Sequence, residues 1–174
     1  VYSSSLGTEK FLKYLPLQVG PWFLNGEKDS FVTITCLDGD DKAVDFRIRR
    51  EPLRGRNVVL GENLPDQYLK FVTREIDSDV GYLRFNLFAK PVVDEFCDAI
   101  RRNAGKKALI IDLRGNTGGL LGPLYALSGM LTDDQIDIGT MIYKVGREPM
   151  IARSMKNNFK GKLVFLVDRY TISA

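Results

Sequence analysis

The sequence predicts an α/β fold: a core of parallel-containing sheet and crossing helices, preceded by a smaller β-rich portion. Three observations carry that expectation. Residues 109–119 read LIIDLRGNTGG, an apolar run that stops in a charged, glycine-rich turn, and a helical pattern begins at Leu120. After residue 80, strand-like and helix-like segments alternate, the pattern of a sheet joined by crossover helices. Residues 31–50 instead alternate apolar and polar side chains with period two.

The elements follow in order. Val32, Ile34 and Cys36 alternate with Thr33 and Thr35, Asp38-Gly39-Asp40-Asp41 supplies a turn, and Val44, Phe46 and Ile48 alternate with Asp45, Arg47 and Arg49. Each strand of this hairpin has one apolar face, which places Cys36 inward. The residues before it, with Leu12, Leu15, Pro16, Pro21 and Trp22, read as short helix or irregular chain. Residues 54–65 are punctuated by Gly, Asn and Pro and read as a linker. That divides the chain into an N-terminal module, residues 1–65, and a core, residues 66–174.

Within the core, residues 68–76 and 80–88 form a second hairpin around Asp77-Ser78-Asp79. Pro91 opens a helix whose apolar positions include Phe96, Ile100 and Ala104, and Gly105 is placed to stop it. Residues 107–113 are the central strand. Residues 120–131 are a helix that tolerates Pro123 only because it lies in the first turn. Residues 138–145 read as strand and residues 150–159 as helix or strand. Residues 163–167, LVFLV, are wholly apolar, the mark of a strand buried on both faces.

Composition narrows the function classes. Apolar residues make up 44% of the 174 and charged residues 27%, ordinary values for a globular chain. A net charge of +3, with acids and bases interleaved, argues against nucleic acid as a partner. No apolar run approaches the ~20 residues of a membrane helix, so no integral membrane segment is expected. The start, Val1-Tyr2-Ser3-Ser4-Ser5, lacks an initiator Met and a signal pattern, and reads as a processed protein or a segment of a longer one. With no histidine, the chain supplies no Ser-His-Asp triad, Cys-His dyad or imidazole-ligated metal. Two cysteines read as buried free thiols, with a disulfide left open.

The glycine turn carries chemistry of its own. Strand, glycine turn and helix N-terminus together bring unpaired backbone N–H groups close to negative charge. Asp112 and Arg114 lie two apart on one face, where a carboxylate and a guanidinium can brace the turn. No Gly-Lys-Ser/Thr follows and no G-x-G-x-x-G is present, so this is neither a phosphate loop nor a dinucleotide fingerprint.

The stretch Asp112-Leu113-Arg114-Gly115-Asn116-Thr117-Gly118-Gly119 resembles the Asp-Leu-Arg-x-Asn-x-Gly-Gly signature of the S41 peptidases. Gly81-Tyr82-Leu83-Arg84-Phe85 with Phe88 resembles the strand before that family's first core helix, and LVFLVDRYTISA at residues 163–174 resembles the strand and elbow that carry its nucleophilic serine. The resemblance implies a ClpP/crotonase-like core. Phe31 to Pro52 resembles the closing strands of the PDZ domain that often precedes that core, although no carboxylate-binding glycine–apolar loop stands before it.

The resemblance implies that Ser173 is the nucleophile. A serine on a tight turn after a strand projects its hydroxyl into a cleft; the competing reading of the residues alone is a helix-capping serine. It implies an oxyanion hole from the backbone N–H groups of Ala174 and of Gly118 or Gly119. Asp112, Arg114 and Asn116 then shape the site, Asn116 by bonding its own turn. The general base of the family is a lysine further along than Ala174, so the chain as it stands is expected to lack its base. Lys106, Lys107, Lys144 and Lys162 match no catalytic motif and read as solvated ends of elements.

The function expected is therefore a serine endopeptidase of the carboxyl-terminal processing type, acting on polypeptides through a Ser/Lys dyad with no metal and no cofactor. Relatives that bind retinoids give the rival expectation, a non-catalytic ligand- or peptide-binding module on the same fold. Export of the family implies an extracytoplasmic location.

Overall fold

The computed structural model describes residues 24, 26–52, 54–62, 66–156 and 158–173. The segment holding Leu12, Leu15, Pro16, Pro21 and Trp22 lies outside these residues, and so does Ala174. The chain divides into two compact units, Val1–Leu53 and Arg54–Ala174.

In the first unit, β1 (Phe31–Leu37) pairs antiparallel with β2 (Ala43–Arg49). The turn is held by Asp38, whose Oδ1 accepts the N–H groups of Asp40 and Lys42, each at 2.9 Å. The register sets Val32, Ile34 and Cys36 opposite Ile48, Phe46 and Val44 on one face. That face is not the buried one the alternation predicts. Phe46 is 51% exposed, Ile48 46%, and Cys36 is an exposed free thiol. Alternation reports which residues share a face; burial needs a second layer, and the described residues of this unit supply none.

The second unit begins with β3 (Arg56–Val58), antiparallel to β4 (Gln67–Leu69). Part of the stretch expected as linker is thus strand, and Val58 and Leu69 are buried in the core. The main sheet has four strands in the order β10 (Lys162–Leu166), β7 (Ala108–Asp112), β6 (Val80–Phe85), β5 (Phe71–Glu75). β5 and β6 form the expected hairpin, while β7 lies parallel to both β6 and β10.

Helix α1 (Lys90–Arg102) joins β6 to β7, and α2 (Leu121–Gly129) follows the glycine turn. The core forms where Val92, Phe96, Ala99 and Ile100 of α1 and Leu127 of α2 meet Leu83, Phe85, Leu109 and Ile111 of the sheet. Phe85 stands edge-on to both Phe88 and Phe96. α1 ends before the expected stop at Gly105. Buried Asn103 caps it, donating Nδ2–H to the Ala99 carbonyl at 2.7 Å. Cys97, on this helix, is partly buried and free.

β8 (Ile136–Tyr143) and β9 (Gly146–Ala152) make a separate hairpin, which assigns the start of the ambiguous 150–159 segment to strand. β10 corrects another expectation. It pairs with β7 alone among the described strands and forms the sheet edge, with Val164 46% and Phe165 50% exposed. Lys106 also departs from the solvated reading. Its side chain is 11% exposed, pairs with Glu75, and donates to the carbonyls of Asp77 and Ser78 at 3.1 and 3.2 Å. All three ammonium protons of Lys106 are thereby committed to the β5–β6 turn.

Candidate active site

The site grows from the C-terminal ends of the parallel pair β6 and β7, where register sets Arg84 beside Asp112. Asp112 is fully buried yet satisfied on both oxygens. Oδ1 accepts the backbone N–H of Arg114 at 3.0 Å and its Nε–H at 2.9 Å. Oδ2 accepts Nη2–H of Arg114 at 2.7 Å and the hydroxyl of Tyr82 at 2.7 Å. The fork of Arg114 holds the Asp112 carboxyl well below the usual carboxylate range; burial opposes this, and the Tyr82 hydroxyl adds to the lowering. The same contact raises the pKa of Arg114. Arg84 closes the cluster by donating to the Arg114 carbonyl at 3.1 Å.

Beyond this brace the chain turns through Gly115, Gly118 and Gly119, with φ of +72°, +86° and +140°. Asn116 is buried inside the turn: Nδ2–H donates to the Phe85 carbonyl at 3.1 Å, and Oδ1 accepts the Gly118 N–H at 2.8 Å. Phe88 then locks the exit, since its N–H donates to the Gly118 carbonyl and its carbonyl accepts the Leu120 N–H, both at 2.7 Å. A Cβ on Gly119 would lie 2.3 Å from the Phe88 carbonyl oxygen, so close approach and positive φ both demand glycine. Among the described residues the Gly119 N–H meets no acceptor.

The elbow after β10 packs onto this turn. Thr171 Oγ1 lies 2.8 Å from the Leu113 carbonyl and accepts the Asp168 N–H at 3.0 Å. Asp168 Oδ1 accepts the N–H groups of Gly115 and Tyr170 at 3.0 and 2.9 Å. Burial pushes the Asp168 carboxyl up, but these hydrogen bonds outweigh it and its pKa is lowered. Ile172 donates its N–H to the Asn116 carbonyl at 3.0 Å. Ser173 follows, exposed, with φ of +67°, a left-handed conformation uncommon for a residue with a Cβ.

Asp112, Arg114, Asn116, Gly118 and Gly119 therefore share one braced turn, and Ser173 follows Ile172, the elbow residue bonded to that turn. The sequence pattern marks neither of two further participants: Tyr82 bonds Asp112 from 30 positions away, and Asp168 bonds Gly115 from 53 positions away. The sequence places Tyr82 and Arg84 on one face of β6, alternating with Leu83 and Phe85, but does not name the partner of that face. A cavity of about 410 Å³ adjoins the turn, with Val58, Leu60, Ala89, Lys90 and Leu120 among its lining residues. Among the described residues there is no cluster of three or more metal-ligating side chains, and no helix long and apolar enough to cross a membrane.

Residues 79–174, which hold every element of this site, match the model of peptidase family S41. The chain belongs to this family. It is 30% identical over 100 residues to the carboxy-terminal processing protease CtpA of Bacillus subtilis, covering 56% of this chain and 22% of that protein. Among solved structures, the photosystem II D1 C-terminal processing protease shares the fold with a TM-score of 0.60 at 21% identity. That match covers 85% of this chain and 39% of the protease. This S41 chain thus spans well under half the length of either relative.

Proposed function

We propose that the chain carries the nucleophile and oxyanion parts of a serine endopeptidase of the carboxyl-terminal processing type. The observation that carries this reading is the hydrogen bond from Ile172 N–H to the Asn116 carbonyl, at 3.0 Å. It ties the residue before Ser173 to the glycine turn, in which the Gly119 N–H is unpaired among the described residues.

In this mechanism Ser173 Oγ attacks the scissile carbonyl carbon and its proton passes to a general base. Following the family resemblance, that base is a neutral lysine from outside these residues, its pKa lowered by burial. The carbonyl oxygen becomes an oxyanion and takes N–H donors from Gly119 and Ala174; one such donor typically contributes ~3 kcal/mol to the transition state. Gly118 serves differently, because its N–H is already given to Asn116. Collapse of the intermediate expels the amine, which receives the proton from the base, and water then releases the acyl group from Ser173. The substrate is a polypeptide, with the cavity at Leu120, lined by apolar residues and by Arg56, Glu62 and Lys90, available to one of its side chains. An extracytoplasmic location accords with this role.

The test is to express the full-length gene product and treat it with a serine-reactive phosphonate. Labelling and peptide turnover are expected in the wild type and absent in Ser173→Ala; labelling that persists in the variant refutes the nucleophile assignment.

A further inference from the structure

We infer that Asp168 is a positioning residue for Ser173: one of its oxygens clasps the elbow to the glycine turn and sets the nucleophile against the Gly119 N–H. The inference rests on the nucleophile reading of Ser173 and adds a specific partner to it.

The geometry is that of a tie. Asp168 Oδ1 accepts Tyr170 N–H at 2.9 Å and Gly115 N–H at 3.0 Å, and is the third neighbour at 3.1 Å of Thr171 Oγ1, whose single proton is shared with the nearer Leu113 carbonyl at 2.8 Å. Tyr170 and Thr171 lie within the elbow, as in any turn closed by an acidic side chain. Gly115 does not. It belongs to the oxyanion turn, so a single oxygen atom joins the two halves of the site. Thr171 and Ile172 complete the seam through the carbonyls of Leu113 and Asn116. The next residue, Ser173, holds a left-handed φ that persists only where the surroundings impose it. The seam is that imposing element, for it fixes the chain up to the residue before Ser173.

The work is done by an acceptor at a fixed place. The backbone donors from the two turns, Tyr170 and Gly115, converge on Oδ1. Asparagine offers an amide oxygen at the same position and keeps both backbone donors, Tyr170 and Gly115. Glutamate keeps the charge but carries its oxygens one methylene further out and cannot reach both turns with the same backbone. Alanine removes the tie. A role for the negative charge as such predicts the opposite order for asparagine and glutamate. Acyl transfer is sensitive to such placement, since a misplacement of about 1 Å costs ~10²-fold in rate.

The experiment measures kcat and KM for a peptide substrate, and the rate of phosphonate labelling, on the full-length gene product with Ser173→Ala as reference. Asp168→Ala is expected to lower kcat and labelling rate about 10²-fold, with KM little changed. Asp168→Asn is expected to recover most of the loss, and Asp168→Glu is not. If Asp168→Ala does not fold, the Asn and Glu variants decide alone. Wild-type kcat in Asp168→Ala, or Glu retaining activity while Asn loses it, overturns the inference and leaves the nucleophile reading intact provided Ser173→Ala is inactive. Turnover by Ser173→Ala overturns both.

Discussion

The hydroxyl of Tyr82 donates to Oδ2 of Asp112 across 2.7 Å, in a site where the carboxylate has no exposed surface. The two residues come from neighbouring parallel strands, and the bond converts a buried aromatic into a support for the turn. A hydrogen bond to a buried charge is worth roughly 1.5–3 kcal/mol. Tyr82→Phe, which removes the hydroxyl and little else, is expected to lower unfolding free energy by about that amount. Urea titration with an unchanged slope checks it; an unaltered midpoint contradicts the assigned role.

The same carboxylate sets an acid limb for stability. Arg114 and Tyr82 hold the folded pKa of Asp112 below its ordinary value of about 3.9. Because the folded pKa is depressed, the contribution is fully present above the unfolded value and is lost as pH falls through the folded one. Asp112→Asn is therefore expected to be less stable than wild type at pH 7, with the gap narrowing below about pH 4. Urea midpoints taken along a pH series decide it, and a constant gap would show that Asp112 does not titrate with folding.

Much of this site is legible in sequence because its signals are local. Asp112, Arg114 and the three glycines lie within eight consecutive residues, and their types alone dictate a braced turn with positive φ. Ser173, the proposed nucleophile, is singled out by the resemblance of the elbow that precedes it. What stays hidden depends on strand register. Nothing near Tyr82 says that it faces Asp112, and Asp168 looks like an ordinary turn acid until β10 is laid beside β7. The apolar run of β10 predicts a strand correctly but not its neighbours, so its exposure at the sheet edge is invisible beforehand. β3 is missed for a different reason: three residues amid Gly, Asn and Pro carry too little pattern to outweigh the breakers around them.

Gly119 and Gly115 differ in two respects: φ is +72° at Gly115 but +140° at Gly119, and a Cβ at Gly115 meets nothing within 4 Å whereas one at Gly119 lies 2.3 Å from the Phe88 carbonyl oxygen. Gly115→Ala is expected to cost only the left-handed conformation, on the order of 1–2 kcal/mol. Gly119→Ala adds displacement of the Phe88 carbonyl, which also holds the Leu120 N–H, and should cost clearly more. It should also abolish turnover by moving the N–H proposed for the oxyanion. Thermal unfolding of both variants gives the comparison, and equal losses would remove Phe88 from the account.

Asn116 faces two backbone groups of opposite character, a carbonyl of Phe85 and an N–H of Gly118, and only an amide satisfies both. Asn116→Asp keeps the acceptor for Gly118 but sets a second carboxylate oxygen against the Phe85 carbonyl inside a buried site. Loss of that donor leaves the Phe85 carbonyl unsatisfied, which costs about 1–3 kcal/mol, and burial of the new charge adds to it. Protonation restores an O–H donor, so the folded pKa at this position is raised above the unfolded one. The sign is then opposite to that of Asp112. Stability is lost relative to wild type at neutral pH and recovered as pH falls below the raised value, where the protonated acid mimics the amide. Urea midpoints of Asn116→Asp that approach wild type on acidification, while those of Asn116→Ala do not, are the expected result; parallel curves for the two variants would refute the two-sided role of Asn116.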